Sequence, residues 1–180
     1  MGILRTLLGR KDPVIEDAGR IYRTLMNQAR QASFYGESKA PDNYDGRIDV
    51  LTLHIAVVLE ALSGHGEQGE RLSQAIYDVM RDDVEVALRE EGLSDTGIKR
   101  RIKPMMQLFF TRVKSYVEAL KTELPGNVLK QAFDSGLLKG SKSDYSERLS
   151  AYTIEFSGNF GSLSIGQIAL VQFDIPNAPE

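Results

Sequence analysis

Residues 47–63 limit what this chain can become more than any other stretch. Ile48, Leu51, Ile55, Val58 and Leu62 recur three or four apart, the spacing of one helix face, and Leu53, His54, Val57 and Leu59 widen that stripe on both sides. A helix apolar around most of its girth has to be enclosed by other elements. The rest of the chain must therefore build a shell around it, and that shell also reads as helical.

Residues 13–35 carry Val14, Ala18, Ile21, Leu25, Ala29 and Ala32 at helical spacing, with Pro13 suited to the first turn, where its missing N–H costs nothing. Residues 36–46 break the pattern with Pro41, Asp42, Asn43, Asp45 and two glycines and read as a loop, with Asp45 placed to cap the apolar helix. At eleven residues, this loop exceeds the usual helix–helix connection of about 2–8. After the glycine stop Ser63-Gly64-His65-Gly66, a third helix is expected over 68–91 on Leu72, Ile76, Val79, Met80, Ala87 and Leu88. A fourth, capped by Ser94 or Thr96, runs through Ile98, Ile102, Met105, Phe109, Tyr116 and Leu120. Its stripe stays in phase across Pro104, which predicts one helix with a kink. Shorter helices are expected over 125–135 and 144–156, with a polar loop at 140–143. A short helical or extended piece follows over 163–173, then a fraying tail marked by Pro176 and Pro179. The predicted fold is all-α, one domain of about six to seven helices. Its divisions are an amphipathic or flexible segment 1–12, a helical domain 13–174 and a tail 175–180.

Composition narrows the function. The 180 residues include no cysteine, so disulfides, thiolate metal sites and a cysteine nucleophile are excluded. A net charge of −3 is not the basic signature of a duplex-binding domain, so no DNA partner is expected. No apolar run approaches the length of about 20 residues that a bilayer span needs. Residues 1–11 lack the apolar core of a secretory signal. Met1-Gly2 with Thr6 fits the myristoylation pattern, which is short enough to arise by chance.

Several motifs have two readings. Gly64-His65-Gly66-Glu67-Gln68-Gly69 matches G-x-G-x-x-G, but a dinucleotide site needs a strand before it, so a helix–helix loop without nucleotide is expected. His54 and His65 are the only histidines; His54 lies on the apolar side of its helix and reads as a core residue held by one hydrogen bond. Asp78, Asp82 and Glu85, with Arg89 two turns beyond Asp82, form either a solvated face or a carboxylate cluster for metal or acid–base work. Lys99, Arg100, Arg101 and Lys103 are either a solvated face or a contact for RNA or anionic lipid. Ile3, Leu4, Leu7 and Leu8, with Arg5, Arg10 and Lys11, would form a short amphipathic segment lying on a membrane.

Three stretches in order carry a resemblance. The first is Phe34-Tyr35-Gly36 followed by Pro41-Asp42-Asn43-Tyr44-Asp45-Gly46-Arg47 and Leu51-Thr52-Leu53-His54. The second runs from Tyr77-Asp78 through Asp82-Asp83 to Leu88-Arg89-Glu90-Glu91-Gly92. The third runs from Asp95 through Lys99-Arg100, Lys103 and Met105 to Phe109-Phe110-Thr111-Arg112 and Tyr116. Together, over residues 13–125, they resemble the ubiquinol–cytochrome c chaperone family; Thr111 departs from it, standing where a glycine is expected.

The resemblance implies a helical assembly chaperone, not an enzyme, that binds newly made cytochrome b and releases it as other subunits or haem join. It brings no catalytic, cofactor-binding or metal-binding residues. Client-binding candidates are Tyr35, Asp45, Arg47, Asp78, Asp82, Arg89, Lys99 and Arg100; membrane-surface candidates are Ile3, Leu4, Leu7, Leu8, Arg101 and Lys103. Mitochondrial relatives act beside the ribosome with a small partner subunit. Without a transit-peptide composition in residues 1–11, a bacterial member is expected, cytoplasmic and peripheral on the inner membrane. The rival readings are a helical enzyme holding metal on the third-helix carboxylates, and an RNA-binding module using residues 99–103.

Overall fold

A computed structural model describes residues 12–138 and 144–179. The segment with Ile3, Leu4, Leu7 and Leu8, the Met1-Gly2 pattern and the 140–143 loop lie outside the described residues. The described chain forms seven α-helices: α1 (Pro13–Ala29), α2 (Tyr44–Leu62), α3 (Gly66–Glu90), α4 (Asp95–Leu120), α5 (Pro125–Ser135), α6 (Tyr145–Gly158) and α7 (Ile165–Ala169). Among the described residues there is no strand, only an isolated bridge between Tyr35 and Ala40.

The apolar helix is central, as its girth requires. Every residue from Asp49 to Val58 is buried, and α2 packs on α1, α3, α4 and α6. An 18-residue window within Tyr44–Glu90 has a mean hydropathy of 1.4, long and apolar enough to cross a membrane, which reading run length alone misses; 61% of it is buried inside the domain, the mark of a core helix.

His54 is fully buried at mid-helix. Its Nδ1 lies 2.8 Å from the Val50 carbonyl, which can only accept, so Nδ1 carries the proton and Nε2 accepts from the Tyr152 hydroxyl at 2.7 Å. Burial lowers its pKa to about 4, keeping the ring neutral. Tyr152 in turn accepts from Gln28 Nε2, which also donates to the Pro176 carbonyl at 3.0 Å. That bond, with buried Phe173 packed on Phe156 and Phe160, holds the last described residues against the domain, where a fraying end is expected from composition.

Two helix ends differ from expectation. The first helix stops at Ala29, not Tyr35, because Gln31 turns extended and a 3-10 turn at Ala32–Phe34 drives Phe34 into the core. The second starts at Tyr44, and its cap is Asn43, whose side chain accepts from the Gly46 N–H at 2.9 Å; Asp45 is not the cap but sits in the first turn. Gly46 is required there, since a Cβ would lie 2.0 Å from the Pro41 carbonyl oxygen.

The glycine motif builds a corner. A 3-10 turn at Ser63–His65 joins α2 directly to α3, and Gly69 lies so close to the Leu62 carbonyl oxygen that a Cβ would approach it to 2.1 Å. The strand–turn–helix setting of a dinucleotide site is absent from the described residues. Ser94 caps α4, which continues as one helix past Pro104.

Candidate functional site

Of the sequence candidates, Tyr35, Asp45, Arg47, Arg100 and Arg101 come together at the N-terminal end of α2, which is flanked by two clefts. The first, about 160 Å³, lies between α1, α2 and α3, with Met26, Ile48, Leu51 and Val84 as apolar lining and Tyr22, Tyr35, Tyr44, Arg47 and Asp83 as polar lining. Tyr22 donates to Asp83 Oδ2 at 2.7 Å, and burial followed by the Asp83 carboxylate pushes its phenol well above the ordinary range. Tyr35 donates to the Ala29 carbonyl, and burial pushes its pKa up to about 12. Arg47 lies 5.0 Å over the Tyr35 ring while its Nε donates to Asp42 at 2.8 Å. Arg101 lies 5.8 Å over the Tyr44 ring, whose buried hydroxyl has no hydrogen-bond partner among the described residues.

The second cleft, about 630 Å³, lies between α2 and α4. Asp45 faces Arg101 at 3.6 Å, and one turn deeper Asp49, 5% exposed, faces Arg112 Nε at 3.8 Å. Arg100 lines this cleft with Pro104 and Leu108.

The other candidates do not join this site. Asp78 is exposed and accepts from Gln74 at 2.9 Å, Asp82 has only its neighbour Arg81 at 3.7 Å, and Arg89 pairs with Glu85 and Asp95. The third-helix carboxylates are thus spread over solvent, and no three His, Asp or Glu among the described residues are grouped to hold a metal ion. The enzyme reading built on those carboxylates loses its site. Lys99, Arg100 and Lys103 are exposed, without an ion pair among the described residues, whereas Arg101 is turned to Asp45. His54, the one histidine in the core, has both ring nitrogens engaged and no path to a substrate.

Sequence reasoning passed over Tyr22, Asp83 and Asp49 as site residues. Asp49 had a signal, as the one carboxylate in the mostly apolar run 48–59. Asp83 stands in the second stretch of the resemblance, but nothing there pointed to Tyr22, because their pairing is made across two helices.

The ubiquinol–cytochrome c chaperone family model matches residues 37–171. The chain is 22% identical over 120 residues to the ubiquinol-cytochrome-c reductase complex assembly factor 1 of Xenopus laevis, covering 67% of this chain and 60% of that protein. The chain thus spans less than two thirds of that relative's length. The crystal structure of the Cbp3 homolog from Brucella abortus superposes with a TM-score of 0.80 at 27% identity, covering 98% of each chain. With three quarters of its length inside the family model and the same fold end to end, the chain belongs to the ubiquinol–cytochrome c chaperone family.

Proposed function

We propose that this protein is an assembly chaperone for ubiquinol–cytochrome c reductase that binds newly made cytochrome b and releases it as further subunits or haem join. The observation that carries this reading is the family match across 37–171. The chemistry of the described residues agrees with it: the core histidine is enclosed, and Arg101 and Arg112 beside α2 face carboxylates that hold the helix in place.

The client is met at the cytoplasmic face of the membrane. Among the described residues the one stretch apolar enough to span is mostly buried in the core, which agrees with a peripheral attachment. Lys99, Arg100 and Lys103 supply it, each cation adding about 1 kcal/mol near anionic lipid. Retention on anionic vesicles at low salt and release at high salt is the expected behaviour. An equal, salt-sensitive affinity for RNA would move these cations to the RNA-binding reading.

The central test is recovery of pulse-labelled cytochrome b with the tagged protein from cells making the complex, together with loss of assembled complex when the gene is deleted. Recovery no greater than a tag-only control, with normal complex in the deletion strain, would overturn the proposal.

A further inference from the structure

The far end of α2 opens onto a different surface. A groove of about 400 Å³ runs between the end of α2, α3 and α4, lined by Leu59, Tyr77, Phe109, Phe110, Val113 and Val117. Tyr77 and Phe110 stack with ring centroids 5.0 Å apart, and Phe110 remains 53% exposed. Glu70 and Gln74 line the α3 wall, where Gln74 holds the exposed Asp78 carboxylate at 2.9 Å. Neither Glu70 nor Asp78 has an ion pair among the described residues, while Lys114 on the α4 side is turned to Glu118. The groove is thus an apolar trough with Glu70 in its α3 wall and Asp78 bonded to that wall from outside the lining.

We infer that this groove receives an apolar helix of the client that carries Lys or Arg at one end. Two helices side by side present a trough that a third helix fills with a ridge of side chains. Membrane-spanning helices are flanked by Lys and Arg on the cytoplasmic side, and those cations complement Glu70 and Asp78. A second copy docking through the same face would bring the same acids together, which disfavours self-association. The inference rests on the assembly-chaperone reading for the client's identity, but the groove's preference is measurable without it.

The probe is a labelled helical peptide with an apolar stripe and two C-terminal lysines, compared with the same peptide ending in two glutamates, by fluorescence anisotropy on the full chain. The lysine peptide should bind at least about tenfold more tightly. Phe110→Glu should abolish binding and Phe110→Ala weaken it, both with an unchanged melting temperature because the ring is half exposed. The pair Glu70→Lys and Asp78→Lys should reverse the preference between peptides. Equal binding of both peptides by the wild type, or binding indifferent to Phe110→Glu, would overturn the inference. So would concentration-dependent dimers that Phe110→Glu dissolves, since they would make a second copy the occupant. If wild type and Phe110→Glu recover cytochrome b equally, the groove is not the client site and the chaperone reading stands. If neither recovers it while the peptide result holds, the chaperone reading falls and the groove stands as a site for cation-flanked helices.

Discussion

The two ends of α2 are built from opposite chemistry. Around its N-terminal end most charges have an answer within the chain: Arg47 on Asp42, Arg101 opposite Asp45, Arg112 opposite Asp49, and Asp83 beneath the Tyr22 hydroxyl. Around its C-terminal end rings and branched aliphatics make up most of the lining, beside Glu70 and Gln74, with Phe110 half exposed and the nearby acids without an ion pair among the described residues. Of the charges that draw attention in the sequence, Asp45, Arg47 and Arg101 hold the start of α2, whereas Asp78, Asp82, Arg89, Lys99 and Lys103 lie away from it. What is left over for another molecule is mostly apolar. A holdase for membrane segments needs that second kind of surface, because the driving force is area removed from water, not ion pairing.

Breaking the Asp49–Arg112 pair tests the contrast most severely. Asp49→Ala leaves a guanidinium with 20% side-chain exposure facing no carboxylate, and removal of one partner from a buried pair costs about 3–5 kcal/mol. Phe110→Ala, at the other end, should stay within about 0.5 kcal/mol, as surface substitutions do. Urea unfolding of both variants checks the difference. Similar losses at the two sites would mean that the ends of α2 do not divide structure from binding.

The middle of α2 should report through pH. His54 is held neutral with its pKa lowered from 6.5 to about 4. Between those values the unfolded chain binds a proton that the folded chain refuses, so stability falls as pH drops from about 6.5 and has lost the full contribution below about 4. At about 1.4 kcal/mol per pKa unit, that contribution is about 3 kcal/mol. His54→Gln removes this part of the slope, while acid loss from the carboxylates stays common to both proteins. Urea midpoints for the two at pH 7 and pH 5 isolate it. Parallel slopes would show that His54 titrates normally and that the core around Tyr152 opens to water.

Much of the fold is written in short-range spacing. The stripe from Ile48 to Leu62, the in-phase run of α4 across Pro104 and the Pro125 start of α5 all depend on contacts within a few turns, which periodicity reports directly. The end of α1 was not legible. Ala32 stays in phase with the helix, and only the pull of Phe34 into the core ends it three residues earlier, at Ala29. The α2 cap was ambiguous because Asn43 and Asp45 both suit the role; the extended backbone at Asn43, φ −142° and ψ 177°, decides it. Site residues were harder to see. Spacing places Arg101 and Arg112 on α4 but does not show that they meet Asp45 and Asp49 on another helix. The apolar groove was hidden for the same reason, since Leu59, Tyr77 and Phe110 come from three helices and each reads alone as an ordinary core position.

Arg47 gives the smallest expected effect and the finest test of the contrast. Its guanidinium is bonded to Asp42, the two side chains 49% and 55% exposed, and it lies over Tyr35. An exposed ion pair contributes about 0.2–1 kcal/mol and an exposed cation–π contact about 0.5–1 kcal/mol. Arg47→Ala should therefore cost about 1 kcal/mol, which lowers the melting temperature of a chain this size by about 2–4 °C. If the client occupies the proposed groove, recovery of cytochrome b at permissive temperature should be unchanged, because Arg47 holds the loop against α2 at the other end. Arg47→Lys keeps a cation but not the planar stack and fork, so it should recover only part of the stability. An unchanged melting temperature with cytochrome b recovery lost would reverse the assignment. It would make Arg47 a client contact, and the polar clefts would then belong to the binding surface as much as the groove does.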